Sequence, residues 1–101
     1  MARFLASYDL TRTDPSPHSA YLKAAEEKGW STWIESSDGA WYRLPNTTIV
    51  ATFDNIEEAA KSFHSIKPAA EAEFGRKVTV EKYIVVHYST GKFNSNENTK
   101  D

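Results

Sequence analysis

The stretch "KVTVEKYIVVHYS", residues 77–89, constrains the fold more than any other part of the chain. Val78, Val80, Lys82, Ile84, Val86 and Tyr88 share one face of an extended backbone, and Tyr83 and Val85 share the other. A two-residue period marks a strand. From Tyr83 to Tyr88 both of its faces are apolar, and a strand of that kind needs cover on each side. The chain has 101 residues, room for one domain. Helices can cover one side of such a strand, and something else must cover the other.

The preceding residues supply the remaining elements. Arg3 to Tyr8 alternates, with Phe4, Ala6 and Tyr8 on one side, and reads as a first strand. "TRTDPSPHS" is a loop, and Ser16-Pro17 starts a helix expected over 17–28: a hydroxyl cap, then a proline where its missing N–H costs nothing. Gly29 is placed to end it. Trp30 to Ser36, Trp41 to Leu44 and Thr47 to Phe53 are extended, separated by the turn signals "SSDGA" and "PN". They predict a hairpin with a bulge or a small extra hairpin around residues 37–40. Asp54-Asn55-Ile56-Glu57 reads as a capping box with Asp54 as the cap. Ile56, Ala59, Ala60, Phe63, Ile66, Ala70 and Phe74 then repeat at helical spacing. Pro68 predicts a kink, or two short helices meeting near Ile66, because a proline inside a helix costs about 3 kcal/mol. The polar segment 90–101 lacks periodicity and is expected to be disordered, which leaves residues 1–89 as the domain.

The order strand-helix-strand-strand-helix-strand predicts an α+β fold of the ferredoxin-like βαββαβ type: a four-stranded antiparallel sheet with two helices on one face. The other face would be bare and partly apolar, which predicts a homodimer, packed sheet to sheet or joined through final strands.

Composition excludes several classes of function. There is no cysteine, so disulfides and thiolate metal sites are ruled out and a reducing, cytoplasmic setting is the natural expectation. No run approaches the roughly 20 apolar residues of a membrane span. The formal net charge of −2 is unlike that of a strongly basic nucleic-acid binder, although Arg12 and Arg43 could contribute to a local phosphate-binding patch. His18, His64 and His87 fit no metal-ligand spacing. Trp30, Trp33, Trp41, Tyr42 and Tyr83 read as core and interface residues before they read as base-stacking platforms.

One short motif carries a resemblance. "SYDL" closes the first strand, and "TTIVATFDNIEEA" runs from a strand into a capped helix. Together they resemble the small nuclease of CRISPR adaptation and its relatives, the virulence-associated protein D ribonuclease toxins and the SinR-like proteins. In those families a Tyr-Asp pair, here Tyr8-Asp9, ends the first strand, and the two aspartates of a dimer can hold a divalent metal. The resemblance therefore implies Asp9 as a catalytic and metal-binding carboxylate using Mg²⁺ or Mn²⁺ in an RNA or DNA endonuclease. The near-neutral opening of the first helix and the long "SSDGAWYRLPN" insertion depart from those families. They favour a non-catalytic dimeric module that associates with protein or nucleic acid, as an accessory of a mobile element or a toxin–antitoxin type system.

Overall fold

The computed structural model describes residues 1–99. In chain order the elements are β1 (Ala2–Leu10), α1 (His18–Glu27), β2 (Trp33–Glu35), β3 (Trp41–Arg43), β4 (Thr48–Phe53), α2 (Ile56–Phe74), β5 (Val80–Tyr88) and β6 (Asn98–Thr99). β1 is the central strand of an antiparallel sheet ordered β4-β1-β5, and a second small sheet is ordered β2-β3-β6. The alternation of β1 divides its side chains cleanly. Phe4, Ala6, Tyr8 and Leu10 are buried, while Arg3 and Asp9 are exposed.

Both helices lie over the buried face. Ala6, Tyr8 and Ile49 from the sheet meet Tyr21, Ala24 and Ala25 from α1, and Phe63, Ile66 and Ala70 from α2. The centre is aromatic. The Tyr8 and Tyr21 rings are 4.7 Å apart, and Trp30 meets Phe63 edge-on at 6.2 Å. The Trp30 indole N–H donates to the Ser62 hydroxyl at 3.1 Å, so a buried polar atom is satisfied at little cost.

The expected four-stranded ferredoxin-like sheet does not form. The main sheet has three strands, and the segment expected to add the fourth joins it only through Ser31, which exchanges backbone hydrogen bonds of 2.8 and 2.9 Å with Val50. The reason is local. The Ser31 hydroxyl accepts from the Trp33 N–H at 3.0 Å and donates to the Trp33 carbonyl at 3.1 Å, a side-chain turn that competes with a continuing ladder. Beyond it Trp33–Glu35 pairs with Trp41–Arg43. Ser36 and Asp38 are joined by a side-chain hydrogen bond, the Asp38 carboxylate accepts from the Ala40 N–H at 3.0 Å, and Gly39 adopts φ +88°. A short hairpin costs little closure entropy and captures β2.

The helix ends also refine the expectations. α1 begins at His18, one residue later than expected, and the Ser16 hydroxyl accepts from the His18 N–H at 3.3 Å. For α2 the cap is Asn55 and not Asp54: its side chain accepts from the Glu58 N–H at 2.9 Å. Asn55→Ala should therefore cost about 1 kcal/mol, and Asp54→Ala only a few tenths. Thermal melts of the two variants check this, and equal losses would contradict the assignment. α2 runs unbroken through Pro68 to Phe74. The proline is exposed, and burial of Ala59, Phe63, Ile66 and Ala70 on either side holds the helix together across the missing hydrogen bond. Gly75 ends α2 at φ +75°, where its N–H donates to the Glu71 carbonyl at 2.8 Å; only glycine adopts that conformation cheaply.

The segment after Tyr88, expected to be disordered, runs back along the second sheet. Phe93 packs edge-on against Tyr42 with ring centroids 5.6 Å apart. The Arg43 N–H donates to the Glu97 carbonyl at 2.9 Å, and β6 pairs with Trp41 and Tyr42 of β3. The last two positions of the segment lie outside the described residues.

Candidate interaction surface and the Asp9 site

The sheet face away from the helices is built from the other half of each alternation. Arg3, Leu5, Ser7 and Asp9 of β1 stand opposite Tyr88, Val86, Ile84 and Lys82 of β5. Of these, Ile84 is 57 % exposed and Val86 37 %. β5 is also the outermost strand on its side. Over nine residues it pairs with β1 alone among the described residues, so its other edge presents free N–H and C=O groups. Long, apolar, unpaired edges are what native proteins normally blunt or cover. Here Lys82 and Glu81 are its only charged residues.

The run into β5 is anchored by a single carboxylate. Glu71 accepts from the Val78 N–H at 2.9 Å and from the Lys67 ammonium at 3.0 Å. The backbone N–H first, and Lys67 second, hold its carboxyl below the usual range. A depressed folded pKa means that the unfolded chain binds a proton more readily. The stabilisation is thus complete above the unfolded pKa and is lost as pH falls through the folded value. Glu71→Gln should melt less differently between neutral and acid pH than the wild type does. An unchanged pH dependence would contradict this role.

Asp9 lies at the end of β1, where the ladder is irregular. Asp9 faces Lys82 and Leu10 faces Val80, so Glu81 is an extra residue in β5. The Thr11 hydroxyl donates to the Glu81 carboxylate at 2.8 Å across this bulge. The Asp9 carboxylate is well exposed and lies 3.9 Å from the Lys82 ammonium. Together with Ser7, Tyr8, Tyr83 and Ile84 the two border a shallow depression of about 210 Å³. Tyr8 points to the other face, and burial pushes its hydroxyl up to about 12. Among the described residues no group of three or more His, Asp or Glu side chains is placed to hold a metal ion. In one chain the site offers a single carboxylate with an ammonium beside it, whereas Mg²⁺ is held by one or two carboxylates and several waters.

The two arginines are not brought together by any hydrogen bond or ring contact. Arg12 lies exposed in the loop after β1. Arg43 ends β3, with its guanidinium 5.8 Å from the centre of the Trp33 ring. His87 packs its ring 5.4 Å from Phe4, and His64 accepts or donates a 3.0 Å hydrogen bond with the Tyr83 hydroxyl. The feature that sequence reasoning left unlocated is the free edge itself. The two-sided apolar pattern of residues 83–88 signalled a need for cover, but which edge stays open depends on strand order. No helix among the described residues is long and apolar enough to cross a membrane. No known protein family, curated protein or solved structure matches the chain.

Proposed function

We propose that the protein is a non-catalytic interaction module that works as a pair of identical chains joined along β5. The observation that carries this reading is the nine-residue outer strand with one unpaired edge and exposed Tyr83, Ile84 and Val86. The strand is self-complementary in the antiparallel sense. A two-fold axis at Ile84 places Ile84 on Ile84, Tyr83 against Val85, Lys82 against Val86 and Glu81 against His87. No like charges oppose each other, as they would in a parallel pairing that set Lys82 on Lys82. The pairing extends each three-stranded sheet to six strands and satisfies the free backbone groups.

This pairing leaves little scope for a shared metal. Three strand spacings and a four-residue offset separate the two Asp9 residues by about 20 Å. The endonuclease reading needs a different dimer, with the open faces packed together so that the two carboxylates converge. A cytoplasmic setting is supported by the absence of cysteine. An accessory role for a mobile element or a toxin–antitoxin type system, acting on protein or nucleic acid, is carried by the resemblance of "SYDL" and "TTIVATFDNIEEA" alone.

Light scattering at micromolar concentration tests the reading. The expected mass is twice the 11.4 kDa of the chain, and a monomer at all accessible concentrations would overturn it. Thermal unfolding with and without millimolar Mg²⁺ or Mn²⁺ separates the alternatives. A cation bound only to the folded dimer at a hundred times its Kd would add about 2.7 kcal/mol of stability. The expected result is no metal-dependent shift in either the wild type or Asp9→Asn. A shift present in the wild type and absent in the variant would establish the metal site instead.

A further inference from the structure

Beneath the other end of β5, a cleft of about 300 Å³ opens between α1, α2 and the start of the strand. Its size lies at the lower limit of small-molecule sites. Its apolar lining is Tyr21, Phe63, Val80 and Tyr83; Tyr21 and Phe63 are buried, and Tyr83, 48 % exposed, offers the accessible ring. Phe63 and Tyr83 stack at 5.2 Å with their planes 29° apart, and Tyr83 is fixed from the other side by its hydrogen bond to His64. Tyr21 is fully buried, and its hydroxyl has no hydrogen-bond partner among the described residues.

The rim has one sign of charge. His64, Lys67 and Lys77 line it, and no acidic side chain does. Lys67 is already paired with Glu71 at 3.0 Å. Lys77 is exposed and lies close enough to Glu71 to help hold that carboxyl below its usual range. A half-exposed Tyr83 ring beside a rim where two ammonium groups share the one Glu71 carboxylate suits a small apolar body that ends in one negative charge. The larger cleft of about 570 Å³ beside Tyr42 and Phe93 mixes Arg3 and Lys92 with Glu35 and Asp38 and selects no charge.

We infer that this cleft binds small aromatic carboxylates, with the ring against the exposed part of Tyr83 and the carboxylate at Lys77. The site lies on the helix side of the sheet and shares Tyr83 with the β5 edge. Cinnamate and its uncharged amide, titrated into the full-length protein and followed by backbone amide NMR shifts, test it. Cinnamate should shift residues 63–67 and 77–83 saturably and bind about tenfold more tightly than the amide, the worth of one charge-assisted contact. Lys77→Gln, a change at an exposed position that spares the fold, should remove that difference and leave amide binding unchanged. The proposal fails if cinnamate gives no saturable shift, if its shifts fall elsewhere, if acid and amide bind equally, or if Lys77→Gln binds cinnamate as the wild type does.

Discussion

Phe63→Ala should leave little folded protein at physiological temperature. Phe63 is buried where both helices meet the sheet, with the rings of Tyr8, Tyr21, Trp30 and Tyr83 within 6.4 Å of its own. Removing a buried phenyl ring costs about 3–5 kcal/mol, the more so where neighbours cannot collapse into the space. These neighbours are rigid rings that belong to four different elements or connections, so collapse is hindered. Domains have only about 5–15 kcal/mol of stability in total, and one this small lies towards the lower end. Phe63→Leu keeps most of the volume and should cost less than half as much. Circular-dichroism melts of the two variants check the pair. A Phe63→Ala transition within a few degrees of the wild type would mean that the aromatic centre is not where the stability resides.

Replacing Ile84 and Val86 together by Lys should abolish the proposed β5-paired dimer while the monomer stays folded. Both side chains are substantially exposed, and surface changes of this kind usually move stability by no more than about 0.5 kcal/mol. In the paired state the consequences are much larger. Two lysines would meet at the axis, and each Lys introduced at position 86 would oppose Lys82 of the other copy. The apolar burial of four side chains would also be lost. The dissociation constant should rise by at least about a hundredfold. Light scattering gives the mass, and circular dichroism shows that the fold persists. A variant that remains dimeric would move the interface away from β5.

The sequence made the helices, the core and the outer strands legible because each is written in local periodicity. Phe4, Ala6 and Tyr8 could be assigned to one face, and Ile56 through Phe74 to one helical pattern, from spacing alone, while Pro68 pointed to a kink or a break where the helix runs on. Competition between neighbours was harder to read. Asp54 and Asn55 are both good caps, and which of them wins is decided by how the chain leaves β4. The fourth strand was lost for a similar reason, since the Ser31 hydroxyl and the Asp38-Gly39 turn favour a local hairpin over a longer ladder. Asp9 could be placed at a strand end, but its neighbour could not. The proximity of Lys82, which weighs against a bound cation, follows from a register between residues far apart in the chain. The Lys77 cleft was invisible for the same cause, because three separate elements assemble it.

The position of β1 governs how quickly this protein can reach its native state. It is the first strand in the sequence and the middle one in the sheet, with Arg3 paired to Thr52 on one side and to Tyr88 on the other. Nothing adjacent in sequence can shelter it. Its partners arrive only after most of the chain has been ordered, and such high-contact-order pairings fold in milliseconds to seconds, where helical bundles of similar size take microseconds to milliseconds. Through that interval Phe4, Tyr8 and the apolar run of β5 are exposed at the same time. Refolding yield should therefore fall with protein concentration well before equilibrium stability is affected, and chaperone dependence would arise from topology and not from a weak core.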